Sequence, residues 1–324
     1  MSDHATAREP WGFTLPQPIE RLEFIRVFAP LAILGFLSSR LVHVEHWITR
    51  VGFVVPERLG SDYRQPLYIP PVPVWLAVLV AVATVVSGLA TSLGYRTRWA
   101  SGIFAALLAY LALADRLEAF TVNKLGTVIV FAIFVAPAGA RFSIDAWLRA
   151  KRQPEAPLPT HVHWGNVRFF QVLLALMYLG SGIAKASPDA DSTRSLGDWF
   201  YPNTMWSHLH DSYQTPFTYF LAASVPAVAF NLFQYLTLAY ELGAPIWFGV
   251  RRLRPFGLVF GLAMHASIGL MFGPVVWFAL LMMVLLFGSF APLAWLTRFF
   301  ETAWAKITET AAGSSSSLAK AARE

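Results

Sequence analysis

Lys185 ends an apolar segment long enough to cross a bilayer, closing the run Tyr178-Leu-Gly-Ser-Gly-Ile-Ala-Lys185 ahead of a loop that carries Trp199. A cation at mid-span costs about 2.5 to 3.5 kcal/mol on insertion scales, so a retained one usually has a task. At the end of its span it can instead snorkel its charge to the headgroups, and both readings stand. Gln171, Tyr178 and Lys185 recur every seven residues with Ala175 and Gly182 between them, which gathers polar and small side chains on one helical stripe. Such a stripe is expected to face other helices. A lysine sheltered from water there could serve as a base near neutral pH.

Asn231, Gln234, Thr237 and Glu241 share a face of a later apolar segment. Glu241 lies deep enough that it must be protonated or paired, with Lys124, Arg26 and His265 as candidate partners. An internal clamp and a proton-handling role are both open for it. His265 sits in the middle of the next segment, flanked one turn away by Gly261 and Gly269, as a satisfied interior histidine or as a functional one. Arg40 and the pair Asn123-Lys124 complete the set, and Arg40, Asn123, Lys124, Lys185 and His265 are expected to share one outward-facing cavity. His43 with His46, His161 with His163, and His208 with His210 and Asp211 are patterns too common to define a metal site, and none is expected. The sequence holds no Gly-rich phosphate loop, nucleophile elbow or nucleotide fingerprint.

The elements that must position these residues follow from composition. The chain of 324 residues is 56% hydrophobic and 14% charged, with a mean hydropathy of +0.51, whereas soluble domains carry about 25% charge. The sequence therefore predicts an all-α polytopic membrane bundle. At about 20 apolar residues per crossing, spans are expected near 23–44, 71–93, 99–116, 119–138, 166–187, 226–249, 255–273 and 274–296, eight in all. The third and fourth join at a tight hairpin through Asp115, Arg116 and Glu118. The absence of cysteine rules out disulfides, thiolate metal sites and cysteine nucleophiles within this sequence.

A net charge of +6 is explained once the basic residues are sorted by loop, with no nucleic acid implied. Arg96, Arg98, Arg141, Arg149, Lys151, Arg152, Arg251, Arg252, Arg254, Arg298 and Lys306 fall on one side, which the positive-inside rule makes cytoplasmic. Both termini are then cytoplasmic. Residues 1–20 form a polar N-terminal segment without a signal-peptide pattern, so the first span is expected to direct insertion. Residues 21–297 form the membrane domain, and 298–324 an interfacial helix and low-complexity tail. Residues 142–152 read as an interfacial helix and 153–164 as a Pro-rich linker.

Arg21-Leu-Glu-Phe-Ile-Arg26, Leu93-Gly-Tyr-Arg-Thr-Arg98, Thr121-Val-Asn-Lys124, the run from Arg168 to Lys185 with its Trp199 loop, Glu241, and His265 followed by Phe272 occur in an order and spacing that matter together. Over roughly residues 20–297 they resemble the horizontally transferred transmembrane (HTTM) domain family, the membrane domain shared with vitamin K-dependent γ-glutamyl carboxylase. In the carboxylase, the lysine that ends this run deprotonates vitamin K hydroquinone, starting an oxygenation that generates a strong base for a glutamate γ-proton. The resemblance implies Lys185 as base, with Asn123 and His265 as polar positions of the same pocket, and His265, Asn123 and Lys124 are the candidate catalytic residues beside it. Glu241 resembles an acidic position of the family, and with it Tyr178, Gly182, Gln234, Arg40 and Trp199 are expected around the pocket, whose ligand by resemblance is a reduced quinone of the vitamin K or menaquinol type. Lys124 stands where the carboxylase pattern has histidine, and the resemblance does not include the carboxylase's large lumenal region.

The leading expectation is a membrane enzyme of quinol-dependent oxygenation or carboxylation type, acting on a secreted peptide or a small carbon acid from an outward-facing pocket. One alternative is a non-enzymatic membrane partner in maturation, export or immunity of a small secreted peptide, dependent on outer-loop residues such as Trp199 and Trp206. Another is a quinone-linked oxidoreductase subunit. In each case the protein sits in a lipid bilayer, the inner membrane if the source is bacterial.

Overall fold

Apolar runs without backbone partners in lipid must fold as helices, because only a helix satisfies every N–H and C=O within one segment. A computed structural model describes residues 16–52, 69–114, 121–163, 165–188, 194–209 and 215–305, and most of them are helical. Helices Glu20–Val42 (α1), Val44–Ile48 (α2), Val74–Leu93 (α3), Thr97–Ala114 (α4), Thr121–Val135 (α5) and Ile144–Arg152 (α6) make the first half. The second half holds Gly165–Ala186 (α7), Thr204–His208 (α8), Pro216–Ser224 (α9), Ala227–Leu242 (α10), Ala244–Gly249 (α11), Arg254–Met271 (α12) and Val276–Phe290 (α13). Leu293–Ala305 (α14) follows. Among the described residues the strands form a short antiparallel pair, Pro16–Pro18 (β1) with His161–His163 (β2), so the end of the expected linker is pinned to the start of the bundle.

Among the described residues five helices, α1, α3, α4, α7 and α12, are long and apolar enough to cross a membrane, and the count reaches seven if two bent pairs each form one span. Those pairs are α9 with α10, bent by 115°, and α13 with α14, bent by 106°. Some of the eight expected spans are therefore not unbroken helices, and the causes are local. Pro226 separates α9 from α10, Gly243 and Pro245 divide the expected 226–249 span into α10 and α11, and Pro292 precedes α14. Proline ends each stretch because it lacks an N–H and clashes with the preceding turn. The hairpin at Asp115, Arg116 and Glu118, the first 15 residues and the C-terminal tail from residue 306 lie outside the described residues.

α1 forms the spine, burying Leu22, Ile25, Ala29, Ile33 and Leu37 against α3, α5 and α13. Arg26, expected as a partner for Glu241, is instead fully buried at the other end of the bundle. Its Nε donates to Glu23 Oε2 at 2.7 Å, and its remaining N–H groups donate to the carbonyls of Thr91, Ser92 and Phe142. Those carbonyls belong to the α3 end and the α6 approach, so one guanidinium joins three chain segments. Gly94 occupies the left-handed region there (φ +69°), the usual α3 stop signal. Asp145 of α6 accepts from the main-chain N–H groups of Arg96 and Thr97, both at 2.8 Å, and so caps α4. α6 is thereby fixed to the bundle.

Candidate functional site

The small residues before Lys185 decide how closely α7 meets α10. A Cβ placed on Gly182 would meet the Leu242 amide nitrogen at 2.8 Å and the Glu241 carbonyl carbon at 3.1 Å, so only glycine allows this approach. Gly180, on another face, has open space around it. One turn beyond Gly182, Lys185 Nζ donates to both carboxylate oxygens of Glu241, at 2.7 and 2.6 Å, and to Ser181 Oγ at 2.6 Å. Ser181 in turn donates to Glu241 Oε1 at 3.2 Å. The Glu241 side chain is 7% exposed and the Lys185 side chain 23%. The Trp199 ring lies over Lys185 Nζ at 5.1 Å from its centroid, close enough for a cation–π contact.

Glu241 thus pairs with Lys185 rather than with Lys124, Arg26 or His265. A single span from 226 to 249 would put Glu241 in its inner part, away from Lys185 at the outer end of its own span. In the structure the first half of α10 rises past the end of α7 to the Trp199 loop, which brings Glu241 level with Lys185.

Gln234 holds that loop. Fully buried, it donates from Nε2 to the carbonyls of Trp199 and Tyr201 at 2.8 and 2.7 Å and accepts from the Met205 N–H at 2.8 Å. Asn231 accepts from the Asn203 N–H at 2.7 Å. Gln234, expected to line the pocket, instead spends its amide on the backbone that carries Trp199.

A cavity of about 420 Å³ opens beside the pair. Phe233, Thr237 and Glu241, spaced four apart on α10, form one wall. Phe260, Ala263, Met264, Ser267, Ile268 and Met271 form the α12 wall, and Trp199, Met205 and His208 border it from the loop. The lining is apolar except around Lys185, Glu241, Thr237, His208 and Ser267, the usual character of a small-molecule site. The α12 wall was missed in the sequence, although its residues repeat at helical spacing, because small and aliphatic side chains carry no chemical signal by themselves. His208 was weighed only as a metal ligand, and its companions His210 and Asp211 lie outside the described residues.

Tyr178 and His265 meet each other but do not line this cavity: Tyr178 Oη and His265 Nε2 are 2.7 Å apart and both side chains are buried. The Tyr178 ring packs edge-on to Tyr240, whose hydroxyl donates to the Gly257 carbonyl. The single shared cavity divides. Arg40 and Asn123 line a second, much smaller hollow with Leu37, Leu111 and Trp47, and the Arg40 guanidinium lies over the Phe36 and Trp47 rings. Lys124 is exposed. The division arises because α5 packs on α4 and α1, away from α10 and α12. Among the described residues no group of three His, Asp or Glu side chains gathers as a metal site.

A family model described as the HTTM domain matches residues 19–295. No curated protein and no solved structure matches the chain.

Proposed function

The chain belongs to the HTTM domain family, and on that premise we propose that it is a multi-pass membrane enzyme that takes a proton, at Lys185 Nζ, from a hydroxyl-bearing, lipid-soluble molecule of the reduced-quinone class. The observation that carries this reading is the Lys185–Glu241 pair set into the wall of an otherwise apolar cavity. A volume of about 420 Å³ suits a ring of that class, since small-molecule sites run from about 300 to 1,000 Å³. A reduced quinone held there would supply an acidic hydroxyl and the two electrons needed for oxygen chemistry.

The residues present support a proton route without further groups. Lys185 as bonded is an ammonium, and it becomes a base only by giving a proton to Glu241 across their 2.6 Å contact. That shift leaves an amine beside a carboxylic acid, a neutral pair that an apolar wall tolerates better than two separated charges. The Nζ lone pair then accepts the proton of the bound hydroxyl and restores the ammonium. Ser181 keeps a hydrogen bond to each partner throughout, and Trp199 shelters the developing charge from water. The pair acts as the base.

The sorting of basic residues supports eight crossings, with α5 among them and both termini cytoplasmic, around a membrane domain at 21–297. In that orientation Lys185 faces outward, where a secreted peptide or small carbon acid would receive the chemistry.

The test is oxygen-dependent epoxidation of a reduced naphthoquinone by purified protein in detergent, beside Lys185→Ala. Epoxide from the parent and none from the folded variant is expected. A folded parent that yields no epoxide with several quinols would overturn the reading.

A further inference from the structure

The end of the bundle where α4 begins and α6 follows α5 carries a separate open hollow of about 330 Å³. Part of its lining is apolar, from Phe134, Val135, Pro137 and Ala138 at the close of α5, and part is cationic, from Arg98 and Arg149. Among the lining residues the one carboxylate is Asp145, and it is already engaged. It accepts from the Arg96 N–H, the Thr97 N–H and the Thr97 hydroxyl, each at 2.8 Å. Asp145 therefore takes up the α4 N-terminus and leaves the two guanidiniums to find another anion.

Nearby arginines are matched to acids: Arg26 pairs with Glu23, and Arg141 with Glu20. Arg98 and Arg149 form no ion pair with any described residue. The Arg149 guanidinium donates to the Ala140 carbonyl at 3.4 Å, longer than a strong hydrogen bond. Beside the hollow the outer surface is apolar, with Trp99 and Ile103 exposed on α4 and Phe131 and Val135 on α5. Phe134 packs on Gly102 so closely that a Cβ there would meet its ring at 3.0 Å, which joins α4 to α5 along this surface. An unmatched guanidinium pair next to an apolar strip offers a single ligand both a seat for an anion and a bed for hydrocarbon.

We infer that this hollow seats one anionic phospholipid, its phosphate held by Arg98 and Arg149 and its acyl chains lying along the α4–α5 surface over Ile103 and Phe131. The guanidinium fork matches a phosphate in shape as well as in charge. Basic hollows between membrane helices on the cytoplasmic side bind anionic headgroups in this way, and the sorting of basic residues supports a cytoplasmic position for this end. A lipid fits better than a soluble phosphate because the cationic lining continues into apolar surface, which a soluble anion would leave uncovered. The site is distinct from the Lys185 cavity and depends on no reaction there.

The chain contains no cysteine, so Phe131→Cys carries a single bimane label, close to the hollow because the Phe131 and Phe134 ring centroids are 6.0 Å apart. Full-length protein in a neutral detergent is titrated with phosphatidylglycerol bearing brominated chains, which quench bimane on contact, and with phosphatidylcholine bearing the same chains. Phosphatidylglycerol is expected to quench at roughly thirtyfold lower concentration, the worth of two basic side chains at a membrane surface. Arg98→Gln with Arg149→Gln should erase that preference. Arg152→Gln with Arg252→Gln, which removes exposed arginines outside the hollow, should leave it intact. Equal quenching by the two lipids in the otherwise unaltered protein would overturn the inference without any arginine variant. A preference that survives the loss of Arg98 and Arg149, or that falls equally in the control pair, would also overturn it, since the attraction would then belong to the whole face. So would inorganic phosphate that displaces the brominated phosphatidylglycerol at comparable concentration, because the hollow would then be a seat for a soluble anion.

Discussion

Gly182 lies against the main chain of Glu241 so closely that a single methyl group would intrude between α7 and α10. The salt bridge one turn away depends on this approach, because Lys185 reaches Glu241 only while the two helices touch. Gly182→Val should therefore both destabilise the protein, by about 1–3 kcal/mol as overpacking does, and separate the ion pair. Gly180→Ala is the matched control: with open space around it, it should be neutral or stabilising by up to about 1 kcal/mol. Thermal unfolding in detergent reads both. Equal tolerance at the two glycines would mean that α7 and α10 are not in contact at Gly182.

Lys185 and Glu241 are predicted to be worth less as a pair than their separate deletions suggest, because each single deletion strands a charge. Lys185→Met strands a nearly buried carboxylate, and Glu241→Leu strands an ammonium. Each should cost about 2–3 kcal/mol, below the 3–5 kcal/mol of fully buried pairs because Lys185 keeps some solvent contact. The double variant should regain most of that stability and none of the activity. A double variant less stable than either single one would show that the pair's atoms do not compensate each other.

Gln234 is expected to act through the loop it holds. Gln234→Leu removes three hydrogen bonds to the Trp199–Met205 backbone and leaves part-buried main-chain groups unsatisfied, a cost below the roughly 1–3 kcal/mol of a fully buried group for each. With Trp199 no longer fixed over Lys185, KM should rise more than kcat falls. Gln234→Glu keeps the acceptor to Met205 N–H but loses both donated bonds, and should fall in between. A loss of kcat at unchanged KM would move Gln234 into the chemistry itself.

How much of this was legible in the sequence differs by residue. Lys185 and Glu241 stood out because charge at membrane depth is rare, and Gly182 because its spacing puts it on the stripe of Tyr178 and Lys185; both signals are visible without coordinates. Their partnership was not visible, since α10 climbs past the end of α7 and span boundaries alone misjudge depth. Asn123 and Arg40 stood out for the same reason as Lys185, yet helix packing carries them to another hollow. The family resemblance was legible as a set of spaced segments, and the HTTM match over residues 19–295 covers that same stretch. The α12 wall of the cavity left no trace, because alanine, serine and phenylalanine on an apolar helix read the same whether they face a cavity, lipid or another helix.

Tyr178 and His265 form the remaining test. They are buried, 2.7 Å apart, and outside the cavity. His265 Nδ1 has no hydrogen-bond partner, so the ring already holds one unsatisfied atom, and Tyr178→Phe would leave a second. That change should cost about 1–3 kcal/mol, the desolvation penalty of a stranded polar group. Replacing both, as Tyr178→Phe with His265→Leu, removes the polar atoms together and should recover most of the loss, giving a coupling energy of about 1 kcal/mol or more in the double-mutant cycle. Turnover by the double variant should fall only as far as its stability does, because neither side chain reaches the cavity wall. If His265→Leu abolishes turnover in a protein that unfolds at the parent's temperature, His265 handles protons for the reaction, and the cavity must extend to its ring.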